Sequence, residues 1–154
     1  MKKLIASLAL VAAAEACTSS THTVTTSAGP TNGNQTGGAD AVSALRGFLA
    51  AAKAQDIQAI GAYWGDADGS ARGRWPKDEE EKRELIMASC LKHDRYDIIS
   101  DAPSQGGART YVVNLAKPGK SAAVNFELVS ASDRRWYVKD VDLKKLMEDY
   151  CRRG

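Results

Sequence analysis

From residue 40 onward, apolar residues recur first at helical and then at strand spacing. Val42, Leu45, Leu49 and Ala52, widened by Phe48, mark one face of a helix that Asp40 can cap and that ends near Lys53-Ala54-Gln55. Asp56 can cap a second, short helix with Ile57, Ile60 and Trp64 on one face. Residues 65–76, GDADGSARGRWP, read as a loop because of their glycines, charges and closing proline. A third helix is predicted from about Lys77 or Asp78 to Cys90. It opens on Asp78-Glu79-Glu80-Glu81, which suits the positive end of a helix dipole, and carries the apolar run Leu85-Ile86-Met87-Ala88. After His93 the period falls to two. Tyr96 and Ile98 alternate with Arg95 and Asp97, Tyr111, Val113 and Leu115 with Thr110, Val112 and Asn114, and Val124, Phe126 and Leu128 with Asn125 and Glu127. Turn signals at Lys117-Pro118-Gly119-Lys120 and Ser132-Asp133-Arg134 separate these runs, and Trp136 and Val138 continue them. The pattern predicts an α+β domain: N-terminal helices packed on a curved antiparallel meander over Arg109–Asp140, a weaker strand before it, and a C-terminal helix. Asp142 would cap that helix, with Leu143, Leu146, Met147 and Tyr150 on its inner face.

The first 38 residues follow a different logic. Met1-Lys2-Lys3 is positive, Leu4–Ala14 is an uncharged apolar run of 11 residues, and Ala14-Glu15-Ala16 has small residues at both flanks. A spanning helix needs about 20 apolar residues, so this run is too short to remain in a membrane and reads as a cleaved export signal over residues 1–16. Residues 18–38, TSSTHTVTTSAGPTNGNQTGG, contain no Asp, Glu, Lys or Arg and almost nothing that burial would stabilise. They read as a flexible tether spanning about 25 Å, in which His22 is a solvated residue. The folded domain is expected over residues 39–154.

Cys17 stands directly after the cleavage pattern. In this the N-terminus resembles bacterial lipoprotein signal peptides, whose small-residue box precedes a cysteine that becomes lipidated. Ala14 stands where that box usually has Leu, and Glu15 is unusual for it. The resemblance implies a lipid on Cys17 and a membrane-anchored envelope protein facing the periplasm or exterior. Ala14 and Ala16 equally suit an ordinary signal peptidase, which would leave a secreted soluble protein.

Charge adds an exclusion. Loss of residues 1–16 removes Lys2, Lys3 and Glu15 from 21 basic and 19 acidic residues, leaving 19 and 18 and a formal net of +1. Such a balance steers toward neither nucleic acid nor anionic lipid. Without Cys17, the remaining cysteines are Cys90 and Cys151, an even number in an oxidising compartment. A bridge between them is expected, and two separately buried thiols are the alternative.

The order of elements, the stretch Ala44-Leu45-Arg46-Gly47-Phe48-Leu49-Ala50-Ala51-Ala52-Lys53-Ala54-Gln55-Asp56 and the closing Arg135-Trp136-Tyr137-Val138 resemble the nuclear transport factor 2-like superfamily. Gln55 stands where that superfamily commonly has Gly. The resemblance implies a cone with an open end, and in some members a pocket using Asp, His and Tyr for proton transfer. The groups this chain offers for such a pocket or its loops are Tyr63, Trp75, His93 and Tyr111, with Asp94 and Tyr96 nearby. His93-Asp94-Arg95 also reads as a polar cluster facing water at a helix-to-strand junction, and Trp64 and Trp136 as packing residues. Asp66-Ala67-Asp68-Gly69-Ser70 lacks the third ligand and the later Glu of a calcium loop, and no other metal or cofactor motif occurs. Arg72 and Arg74 would pair with Asp66 and Asp68 or face water.

The expected function is therefore a non-catalytic module binding a small ligand or an envelope protein. A structural, homodimerising component and an isomerase- or dehydratase-type enzyme are the alternatives. An enzyme requires a buried titratable group with a shifted pKa in the cone, a binder an apolar pocket, and a structural component a filled cone with an exposed apolar patch.

Overall fold

The structure, a computed structural model, describes residues 36–151. The predicted leader, Cys17 and the tether up to residue 35 lie outside the described residues.

Helix α1 (Ala41–Ala54) starts at Asp40 through a reciprocal capping box. Asp40 Oδ1 accepts from the Ser43 amide at 2.7 Å, and Ser43 Oγ accepts from the Asp40 amide at 3.0 Å. It ends on Gln55 in the left-handed region, φ 57°, the conformation that Gly adopts most easily. Asp56 caps α2 (Ile57–Tyr63), accepting from the Ala59 amide at 3.0 Å. The stretch expected to be all loop contains a two-residue hairpin, β1 (Gly65–Asp66) with β2 (Gly69–Ser70). The hairpin forms despite its brevity because Arg74 clamps it, its Nη1 donating to Asp66 Oδ1 at 2.6 Å and to the Gly69 carbonyl at 3.3 Å. Helix α3 (Lys77–Cys90) follows, then β3 (Arg95–Pro103), β4 (Arg109–Lys117), β5 (Lys120–Ser130), β6 (Trp136–Val141) and α4 (Leu143–Asp149).

Strands β3 to β6 form one antiparallel sheet in sequential order. The register sets Val113 opposite Val124, Tyr111 opposite Phe126 and Leu128 opposite Val138. These side chains share one face and are buried, and they join Leu45, Phe48 and Leu49 of α1 in a single core. The Phe48 and Phe126 rings meet edge to face at 6.3 Å. Each such side chain contributes roughly 1.5–3 kcal/mol by leaving water. The side of the sheet facing α1 is thus packed solid.

Both sheet edges are protected. Strand β3 carries Arg95, Asp97, Asp101 and Pro103 and shifts register between Ile98 and Ser100, leaving Ile99 exposed. The β6 edge is covered by the last residues of the tether. Gly38 and Trp136 exchange backbone hydrogen bonds at 2.8 and 2.9 Å, while Trp64 makes a parallel bridge to Val138. Gly37, at φ 65°, passes so close that a Cβ would stand 2.8 Å from the Trp136 carbonyl oxygen. Arg135 fastens this segment from its own side chain, donating to the carbonyls of Thr36 at 2.8 Å and Gly37 at 2.7 Å.

A disulfide joins Cys90, the last residue of α3, to Cys151 after α4, 61 positions later. Beside it the Tyr150 hydroxyl donates to the Lys92 carbonyl at 2.9 Å, and the Lys117 ammonium lies 4.0 Å from the centre of the Tyr150 ring. Among the described residues no helix is long and apolar enough to cross a membrane.

Candidate functional site

The apolar run of α3 supplies the starting point. Four successive residues sweep about 100° each, so Leu85, Ile86, Met87 and Ala88 cannot all face the core. Met87 and Ala88 are buried, whereas Leu85 and Ile86 are 46% and 48% exposed. Ile86 and Met87 instead form one wall of a cleft of about 780 Å³ whose other apolar walls are Trp64, Val141, Leu143 and Met147. Met147 of α4 is itself 49% exposed.

Trp75 closes one end of this cleft. Its ring stacks on Trp64 with centroids 4.7 Å apart and planes 26° from parallel, and the Arg83 guanidinium lies 5.1 Å from its centre. Trp64, expected as a core residue, is only half-buried, because the one-residue bridge to Val138 leaves part of its ring facing the cleft. Charges of both signs, Asp66, Glu79, Lys82, Arg83, Lys139 and Asp140, line the cleft, so it favours neither charge.

On the other side of Trp75 lies a second cavity of about 450 Å³, lined by Gln58, Gly73, Lys77, Glu80, Glu81 and Glu84. Glu84 is 3% exposed. Burial is the main reason its pKa rises to about 7, with Glu80 and Glu81 adding to the rise and Arg72 opposing it. Arg72, expected to pair with Asp66 or Asp68 or to be solvated, instead donates from Nη2 to the Gln58 carbonyl. Its Nε is buried without a partner among the described residues. Arg74 does pair with Asp66, at 2.5 Å, and reaches Asp68 at 3.8 Å.

His93 is 2% exposed, not facing water as its sequence context implies. The chain turns inward there because the Asp94 amide is claimed by the Ala116 carbonyl at 2.9 Å, while the Lys53 ammonium donates to the Asp94 carbonyl at 2.6 Å. His93 Nδ1 donates to the Leu91 carbonyl at 2.7 Å, its Nε2 is buried without a partner among the described residues, and its ring meets Tyr96 edge-on at 5.6 Å. Burial lowers its pKa, so the imidazole is held neutral.

The remaining sequence candidates scatter. Tyr111 is 2% exposed inside the packed core, and burial raises its pKa. Tyr63, half-buried, covers Gly47, where a Cβ would collide with its ring. Trp75 alone of Tyr63, Trp75, His93 and Tyr111 lines either cavity. Glu84 is hidden in the sequence because it sits among Glu80, Glu81, Lys82 and Arg83, a run that reads as a solvated face, whereas in the fold its carboxyl packs against Gly61 of α2. Among the described residues no cluster of three His, Cys, Asp or Glu side chains is placed to hold a metal ion. Comparison with protein-family models, with curated proteins and with solved structures found no match to this chain.

Proposed function

We propose that this chain is an exported envelope protein, lipidated on Cys17, whose nuclear transport factor 2-like domain is a non-catalytic binding module for a small ligand with an apolar or aromatic group. The observation carrying the binding reading is the cleft walled by the Trp64–Trp75 stack, Ile86, Met87 and Met147. Its volume of about 780 Å³ falls in the range of small-molecule sites, roughly 300–1,000 Å³, and it combines aromatic walls with a few charged groups at its mouth. The enzyme alternative is weaker. Among the described residues, Glu84 and His93 are the buried titratable groups outside the tyrosines, and neither lines this cleft; Glu84 lines the smaller cavity beside Trp75 and His93 lines neither. Export is supported by the order of features in residues 1–17 and by the Cys90–Cys151 disulfide, a bond that persists in oxidising compartments.

Two experiments test these two halves. Fractionation of cells making Cys17→Ser or treated with globomycin should move the protein out of the membrane; unchanged fractionation rejects the anchor. For the cleft, 8-anilinonaphthalene-1-sulfonate should bind the folded chain with enhanced emission. Trp75→Ala and Met147→Asp should each weaken that binding severalfold, and equal binding by both variants rejects the site.

A second reading, homodimerisation, is favoured by the exposure of Leu85, Ile86 and Met147, of which Ile86 and Met147 line the same cleft. Sedimentation equilibrium separates the two: a dimer that Ile86→Asp converts to a monomer would assign this surface to self-association.

A further inference from the structure

The Trp-walled cleft has two helical walls, and one covalent bond joins them. Ile86 and Met87 come from α3, Leu143 and Met147 from α4. Ile86 stands four positions before Cys90 and Met147 four before Cys151, so the Cys90–Cys151 bond sits about one helical turn from each wall. We propose that this bond is a redox gate on the cleft: a dithiol reductant opens it, α4 loosens and the ligand site is lost. The gate presupposes the binding reading of the cleft given above, whose regulation it supplies.

Three features make the bond a gate as well as a staple. First, α4 depends on it. The helix has seven residues, whereas helices shorter than about 12–15 residues are marginal on their own. It is held inward by Leu146 and, just past its end, by Tyr150, while Met147 on the cleft side is 49% exposed. Second, the bond is within reach of a reductant. Cys90 is 7% exposed, but Cys151 is half-buried. Third, positive charge gathers beside it. Lys92 follows Cys90 by two positions, and its carbonyl accepts from the hydroxyl of Tyr150, the residue before Cys151. The Lys117 ammonium lies over that Tyr150 ring, and Lys92 and Lys120 both act electrostatically on Lys117. Asp94, whose charge reaches Tyr150, is the opposing group. Cations beside a sulfur stabilise the thiolate, and partly exposed cysteines in electropositive surroundings are the reactive ones.

The exchange balances as follows. One thiolate of the dithiol attacks Sγ of Cys151, the more exposed sulfur, forming a mixed disulfide and expelling Cys90 as a thiolate that takes a proton from solvent. The second thiol of the reductant, after losing its proton to solvent, attacks the reductant's own sulfur in the mixed disulfide and expels Cys151, which is protonated in turn. Two electrons pass to the chain, and the reductant leaves as its own disulfide. With the bond open, the α4 wall is no longer tied to α3, and only the fraction of chains with α4 in place binds ligand.

The test uses the full chain carrying Cys17→Ser, so that Cys90 and Cys151 are its only cysteines. Its affinity for 8-anilinonaphthalene-1-sulfonate is measured oxidised, after millimolar dithiothreitol, and after reoxidation with oxidised glutathione, with thiols counted by iodoacetamide labelling and mass spectrometry. Reduction should free two thiols, weaken saturable dye binding severalfold and speed amide exchange in Leu143–Asp149 while β4 and β5 stay protected; reoxidation should restore all three. Cys90→Ser with Cys151→Ser in the same background should bind weakly and ignore dithiothreitol. Unchanged affinity with two thiols free overturns the gate and leaves the cleft standing. A bond that dithiothreitol does not open in the folded chain also overturns it, as does loss of protection throughout β4 and β5. Absence of saturable binding by the oxidised chain overturns the binding reading itself, and the gate with it.

Discussion

The Glu84 carboxyl occupies the space that a side chain at Gly61 would need: a Cβ built there would collide with Oε1 and stand 3.2 Å from the carboxyl carbon. The obstructing atom is the far end of a flexible chain, so Gly61→Ala should expel Glu84 instead of unfolding α2, in which Ala is favoured over Gly by about 1 kcal/mol. Carboxyl-detected NMR titration should then find the Glu84 pKa returned from about 7 toward 4.5. A pKa that stays near 7 would show that the acid is buried by contacts other than this one.

The same burial makes Glu84 a pH-dependent liability. Its pKa is raised on folding from 4.5 to about 7, so the folded state favours the protonated acid. The associated stability is fully present below pH 4.5 and is lost as pH rises through 7. By about 1.4 kcal/mol per pKa unit, the loss at pH 8 is on the order of 3 kcal/mol. Glu84→Gln keeps the shape without the charge. In urea denaturation it should match the parent at pH 4 and exceed it at pH 8 by up to that amount. A difference independent of pH would sink this account.

His93 acts in the opposite direction. Burial lowers its pKa below 6.5, so folding favours the neutral ring with Nδ1 donating to Leu91. Its contribution is present above pH 6.5 and is lost as pH falls from there toward the depressed value. His93→Phe, an apolar ring of similar breadth beside Tyr96, should flatten the part of the acid limb just below pH 6.5. Comparison of the two denaturation midpoints across that range checks it; parallel curves would mean that His93 does not titrate on unfolding.

These two groups also mark where the sequence stops being informative. The sheet and α1 are legible because alternation at Tyr111, Val113 and Leu115 and the stripe Leu45, Phe48, Leu49 each follow one period, and burial follows the period directly. The hairpin β1–β2 is not, since two-residue strands carry no period and here rest on the tertiary clamp of Arg74. Gly37 and Gly38 likewise read as tether, yet the Gly37 amide bonds the Ala62 carbonyl and the Gly38 backbone pairs with Trp136, contacts made by backbone groups that every sequence has. Glu84 and His93 are buried by elements distant in sequence, α2 and the segment around Lys53 and Ala116, so their local runs of charge point the wrong way. Within the candidate site, Trp75 stood out from its place before Pro76, whereas its stacking partner Trp64 was indistinguishable from a core residue.

The disulfide gives the last prediction. It encloses a loop with ends 61 positions apart, for which the chain-entropy model gives about 4 kcal/mol of stabilisation. Leu146 and Tyr150 are fully buried by the segment it retains, so α4 should be the element most sensitive to its loss. Cys90→Ser with Cys151→Ser should lower the unfolding free energy by roughly 2–4 kcal/mol, and amide exchange should accelerate first in Leu143–Asp149 while β4 and β5 stay protected. Because Leu143 and Met147 line the Trp-walled cleft, the same variant should lose dye binding in proportion to the loosening of α4. Unchanged exchange in α4 would show that the side-chain packing of Leu146 and Tyr150 alone holds that helix.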